Sequence, residues 1–245
     1  MRRRKLWLVL AVLVALAGTA VTAGADGHAR KAGRAVKFKV RVENVSAAEG
    51  QRAADGTRWP FALSPGLYAV GGRGVALFKA GRRASAGVEA QAEDGNPEAL
   101  LKSLEAAGHE AALHGVFNTP AGAAGPGPIG PGAAYEFTFS AAPRMKLTLV
   151  TMFGQSNDLF YAPDKPIELF GAKGEPLGGD VTSRLVLWDA GTEVDQEPGV
   201  GPDQAPRQKA PNTGATQNGV VRRAEGVSFY SRSAELFRVT VTPLM

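Results

Sequence analysis

Val36-Lys37-Phe38-Lys39-Val40-Arg41-Val42-Glu43 decides the fold class, because apolar and charged residues alternate through it without a break. Successive side chains of a strand point to opposite faces, so Val36, Phe38, Val40 and Val42 line one face and the charged residues the other. Near the other end of the chain Phe237, Val239 and Val241 alternate with Arg238, Thr240 and Thr242 in the same way. Tyr135 to Phe139 and Lys146 to Phe153 show similar alternation between them. Strands with one wet face imply an antiparallel sheet or sandwich, and the class expected is mainly β.

Helical signals are confined to the middle of the chain. Asn96 suits a helix cap, Pro97 the first helical position, and Leu100, Leu101 and Leu104 form one stripe before Gly108. A shorter helical turn is expected over Ala86 to Glu93, set off by the Asp94-Gly95 turn. Pro120 to Gly132 is too rich in proline and glycine for helix or central strand and reads as an extended surface segment. No internal repeats are present.

The first 25 residues read as a cleaved export signal. Arg2, Arg3, Arg4 and Lys5 precede a 12-residue apolar run, Leu6 to Ala17, and small-residue cleavage patterns end at Ala23 and Ala25. The run is shorter than the roughly 18 to 20 residues a membrane-spanning helix needs. Residues 26–34 are polar and aperiodic, a flexible lead-in, and 35–245 are expected to form one domain. Secretion or delivery to the periplasm follows. The leader holds four of the 28 basic residues and none of the 23 acidic ones, so the remainder carries 24 minus 23, or +1. The high isoelectric point is therefore mostly the leader's, which argues against a nucleic-acid partner. With no cysteine, stability must come from a core or a bound ion rather than disulfides.

Several apparent catalytic signatures fail on physical grounds. Gly125-Pro-Gly127-Pro-Ile-Gly130 matches a dinucleotide-binding glycine pattern, but its prolines forbid the helix opening that would hold phosphate. His109-Glu110-Ala-Ala-Leu-His114 is one residue too long to put two histidines on one helix face as a zinc protease requires. His28, the remaining histidine, lies in the lead-in, and no Gly-x-Ser-x-Gly elbow occurs. The expectation is that the protein is not an enzyme.

The acidic region is different. Gln155 to Asp203 contains ten acidic and three basic residues. Asp158 follows a strand end, and Asp189 and Glu193 sit together in Trp188-Asp-Ala-Gly-Thr-Glu193, where Gly191 lets the backbone bend between them. Two readings stand: carboxylates converging on a hard cation, for which calcium with its six to eight oxygen ligands is the best match, or a solvated acidic loop with Asp158 as a turn residue. Val194 to Asn218 follows as a long aperiodic stretch of Pro, Gly, Asp, Asn and Gln, and such a loop needs a means of being ordered, of which an ion at its root is one. Asn218-Gly219 reads as a tight turn.

These residues resemble the spondin N-terminal domain family. The resemblance is carried by Lys37-Phe-Lys-Val-Arg-Val-Glu-Asn44, the Leu63-Ser-Pro-Gly66 turn, Ala92-Glu-Asp-Gly-Asn-Pro97, Gly115-Val-Phe-Asn-Thr-Pro120, Ser156-Asn-Asp158, Trp188-Asp-Ala-Gly-Thr-Glu193 and Gln204-Ala-Pro-Arg-Gln208. It implies an antiparallel β-sandwich similar to calcium-and-lipid-binding domains, with one or two short helices inserted, and a calcium held by Asp158, Asp189 and Glu193. Glu193 stands where the animal pattern has aspartate, and Asn157 stands where it has proline. The function expected is a calcium-binding module for extracellular or periplasmic ligand binding or adhesion, its partner a glycan, a lipid headgroup or a protein. The alternatives are a carboxylate-dependent envelope hydrolase, with Asp195 and Glu197 as acid and base, and a purely structural envelope protein.

Overall fold

The computed structural model describes residues 34–72, 75–106, 108, 113–224 and 233–244. The segment read as an export signal, nearly all of the expected lead-in, His28, His109 and Glu110 lie outside the described residues. Among the described residues thirteen strands run in the order β1 (Val36–Asn44), β2 (Gln51–Arg52), β3 (Arg58–Trp59), β4 (Leu63–Gly71), β5 (Leu113–Phe117), β6 (Ala134–Ala141), β7 (Lys146–Phe153), β8 (Leu159–Pro163), β9 (Ile167–Glu168), β10 (Gly179–Asp180), β11 (Leu185–Asp189), β12 (Arg222–Arg223) and β13 (Phe237–Leu244). Helices α1 (Ala86–Asp94) and α2 (Pro97–Ala106) separate β4 from β5, and the short α3 (Ser233–Leu236) precedes β13.

The strands make two main antiparallel sheets. One has the order β10-β13-β1-β6, and the other runs β12-β11-β8-β7-β4-β5 with β9 added to β7. Strand β1 is the spine of the smaller sheet, with Val40 opposite both Val241 of β13 and Phe137 of β6. Its alternation is borne out: Phe38, Val40 and Val42 are fully buried, and the charged positions between them face outward. On that outer face Lys39 and Arg41 both reach Glu136, at 3.2 and 3.0 Å.

The inward residues of both sheets share one core, in which Phe38, Phe61, Phe153, Tyr161 and Phe237 pack with Leu63, Leu147 and Leu149. Phe237 packs edge-on against Tyr161 at 4.6 Å and stacks on Phe61 at 6.4 Å. The chain is thus mainly β, and two sheets closed over a common apolar layer constitute a β-sandwich.

A third layer covers the other face of the larger sheet. Val88 and Ala92 of α1 and Leu100 and Leu104 of α2 pack on Leu67, Val150, Phe160 and Trp188. This corrects the reading of Lys146 to Phe153 as a strand with one wet face. Every residue of β7 after Lys146 is buried, because the sandwich core lies on one side and the helices on the other. The helices form where expected. Asn96 Oδ1 accepts from the N–H groups of Glu98 and Ala99 at the start of α2, and α1 covers the expected Ala86 to Glu93 and one residue more.

Two local expectations also change. Leu63-Ser-Pro-Gly66 is not a turn but the start of β4, where the register against β7 shifts between Leu63 and Gly66, a place where proline's missing N–H costs no ladder bond. Pro120 to Gly132 is helix-free as expected but not wholly on the surface, since Ile129 is fully buried and pairs with Leu63. Among the described residues no helix is long and apolar enough to cross a membrane.

Candidate functional site

The pairing of β8 with β11 brings the first two acidic residues together. Leu159 stands opposite Asp189 in the ladder, so Asp158, one residue before β8, arrives beside Asp189 at the end of β11, and Ala190 N–H donates to the Asp158 carbonyl at 3.1 Å. Asp158 has no solvent exposure, and Asp189 is 2 % exposed.

Asp158 Oδ2 is well served. It accepts from the Thr192 N–H at 2.7 Å, the Glu193 N–H at 3.1 Å and the Thr192 hydroxyl at 3.2 Å. Its Oδ1 is buried and has no hydrogen-bond partner. Burial raises the pKa of Asp158 to about 6, the nearby Asp189 and Asp195 add to the rise, and the two backbone donors oppose it. This is a buried carboxyl with one oxygen that no hydrogen bond reaches.

Asp189 Oδ1 accepts from Gly191 N–H at 2.6 Å, closing a tight turn, and Oδ2 meets the Arg222 guanidinium at 2.5 Å. Gly191 has φ +70°, and a Cβ there would fall 2.7 Å from the Val220 nitrogen, so the bend between Asp189 and Glu193 requires glycine.

Glu193 is drawn in a different direction. Its Oε2 accepts from Asn157 Nδ2 at 3.2 Å and its Oε1 from Gly214 N–H at 2.8 Å, and its acidic neighbours are Asp203 and Asp94. Burial raises its pKa. The backbone of Glu193 thus serves Asp158 while its side chain braces the loop. The third carboxylate in electrostatic reach of Asp158 and Asp189 is Asp195, whose pKa is raised by burial and by Asp189 and lowered by Arg222. Among the described residues no three His, Asp or Glu side chains converge closely enough to enclose an ion by themselves. A calcium at Asp158 Oδ1 would draw its remaining oxygens from hydroxyls, carbonyls and water, as calcium sites commonly do.

One further buried acid, Glu93, has no mark in the sequence. Glu93, near the end of α1, is 2 % exposed, and neither of its oxygens has a hydrogen-bond partner. Burial raises its pKa to about 7; the Thr192 hydroxyl nearby opposes the rise, and Glu193, Glu89 and Asp94 reinforce it. Nothing in the run Ala92-Glu-Asp-Gly marks Glu93 as inward-facing, since helix α1 has no clear apolar stripe to set its orientation.

No family model matches this chain, and no curated protein matches it.

The long loop is ordered by its own polar side chains. Residues 191–194 pair with 215–219 through bonds that include Val194 N–H to the Ala215 carbonyl and Gly219 N–H to the Gly191 carbonyl. Inside that closure, Arg207 donates to Gln155 Oε1 at 3.0 Å and the Gly201 carbonyl at 2.8 Å, and also to Gln204 Oε1. Fully buried Gln204 returns a bond to the Glu197 carbonyl at 2.9 Å. Trp59 of β3 covers Gly199, where a Cβ would lie 2.0 Å from the indole.

Beside Asp189 lies an open cleft of about 680 Å³, lined by Asp164, Trp188, Asp195, Arg222 and Arg223 among others. Arg223 pairs with Asp164 at 2.7 Å and lies over the Trp188 ring. The other sequence signatures resolve simply. No helix follows Gly130, because the chain passes directly into β6. His114 is on β5, 3.7 Å from Glu105.

Proposed function

We propose that this protein is an exported, calcium-binding β-sandwich module of the spondin N-terminal type, serving adhesion or capture of a glycan, a lipid headgroup or another protein outside the cytoplasm. One observation carries the reading: Asp158 is buried beside Asp189 with an oxygen that nothing in the protein engages. A buried anion is costly without compensation, and a divalent cation against Asp158 Oδ1 and Asp189 would supply it. The resemblance carried by Ser156-Asn-Asp158 and Trp188-Asp-Ala-Gly-Thr192 supports the same site.

A hydrolase is the weaker reading. A general acid must reach its substrate, yet the two carboxyls with the largest pKa rises, Asp158 and Glu93, have their free oxygens sealed from solvent. Glu197 Oε1 is engaged by the Ala54 N–H at 2.5 Å.

The experiment is a pair of thermal melts of the purified protein, one with calcium and one with chelator. At 100 times its dissociation constant an ion stabilises by about 2.7 kcal/mol. At roughly 2 to 4 °C per kcal/mol for a domain this size, the melting temperature rises by about 5 to 11 °C. Identical melts would remove the calcium site. A glycan and lipid binding screen, run with and without calcium, then identifies the partner class.

A further inference from the structure

Asp189 already has a cation. Arg222 stands opposite it in the β11–β12 ladder, with a guanidinium nitrogen 2.5 Å from Asp189 Oδ2. The pair is lopsided: the Asp189 side chain is 3 % exposed and that of Arg222 is 52 % exposed. The carboxylate is fixed in the interior, whereas the arginine reaches in from the surface and can swing back into water. Strand β12, which carries it, is two residues long and lies at the edge of its sheet.

Both Asp189 oxygens are therefore occupied, Oδ1 by Gly191 N–H and Oδ2 by Arg222. A calcium ion needs direct contact with a carboxylate oxygen at about 2.3 to 2.6 Å, which a guanidinium on that oxygen obstructs. The Gly191 N–H belongs to the turn and cannot leave without unmaking it. The Arg222 side chain can. Asp195 lines the same cleft as Arg222, and Asp158 Oδ1 stands unengaged beside Asp189.

We propose that Arg222 is a built-in counter-ion of this site, holding Asp189 Oδ2 while the site is ion-free and displaced from it when a divalent cation binds against Asp158 Oδ1 and Asp189 Oδ2. Calcium affinity is then set by competition with the chain's own arginine. This rests on the calcium reading above, and the test separates the two.

Calcium is titrated calorimetrically into the wild-type protein, Arg222→Gln and Arg222→Lys, and each is melted in chelator. Removing a charge-assisted bond from the competitor should tighten calcium binding by about tenfold in Arg222→Gln. The same variant should melt below wild type in chelator, because it leaves Asp189 buried without its counter-charge. Arg222→Lys, which keeps a charge but not the fork, should fall between the two. If wild type binds calcium and Arg222→Gln binds it equally or more weakly, the counter-ion role is overturned and the calcium site stands. If neither responds to calcium, the site itself fails and the competition fails with it. Should Arg222→Gln not fold in chelator, the wild-type side-chain Nε–H resonance of Arg222 decides, assigned by its loss in Arg222→Lys: a calcium-induced shift supports displacement, and an unmoved signal refutes it.

Discussion

Asp158 and Thr192, 34 positions apart, are joined twice: the Thr192 N–H and the Thr192 hydroxyl both donate to Asp158 Oδ2, at 2.7 and 3.2 Å. This oxygen holds the turn after β11 in place, and the other is buried without a hydrogen-bond partner.

Asp158→Ala should destabilise the protein by about 2 to 4 kcal/mol even in chelator, because it strands the N–H groups of Thr192 and Glu193 in a buried setting. Asp158→Asn keeps an acceptor for them, so its chelator melt should fall no more than about 1 kcal/mol below wild type while the calcium response disappears. An Asn variant that still gains stability from calcium would mean that the ion sits elsewhere.

Protonation should stabilise the ion-free protein. Unfolded, Asp158 and Glu93 titrate near their ordinary values of 3.8 and 4.5; folded, they hold their protons until about pH 6 and about pH 7. Between those limits the native state binds more protons than the unfolded chain, so these two groups make stability fall as pH rises from about 4 to 7. Glu93→Gln removes its share, and its stability at pH 7.5 should exceed wild type by about 1 to 3 kcal/mol, with the gap closing below pH 4.5. Denaturant melts of both proteins across that range make the comparison, and a constant gap would show that Glu93 does not titrate with folding.

Gly191→Ala should cost at least about 1 to 3 kcal/mol, since a side chain at φ +70° is strained and meets the Val220 backbone at 2.7 Å. The lesion should also weaken calcium binding, because the same turn fixes Asp189 Oδ1. Normal calcium affinity in a destabilised Ala variant would uncouple the turn from the site.

Arg207→Ala removes the brace between Gln155, Gly201 and Gln204, and a loss of about 1 to 3 kcal/mol is expected together with faster proteolysis between residues 194 and 218. Arg207→Lys should not restore protection, because a single ammonium cannot reproduce the fork. Unchanged cleavage rates in both variants would show that the loop is held by other means.

The strands at the two ends of the chain were legible because each has one face in the core and one in water, which leaves its period in the sequence. Strands β7 and β8 lack that signature, since burial on both sides replaces alternation with a nearly continuous apolar run. The helical layer that causes this was read as two helices but not as a cover for the sheet. At the site, Asp158 and Asp189 were legible from their position at strand ends. The partners of the Glu193 side chain were not, because they depend on a turn closed by residues 215–219. Glu93 and Arg222 gave no signal at all: one is hidden by helix orientation, and the other by a two-residue strand pairing.

The indole of Trp59 fills the place where a side chain at Gly199 would begin, so the loop is seated on the sandwich by a ring lodged against bare backbone. Residues 209–213, at the far end of the same loop, are all exposed. Changes in length or chemistry at that tip leave both the seat and the carboxylates at the loop's base undisturbed.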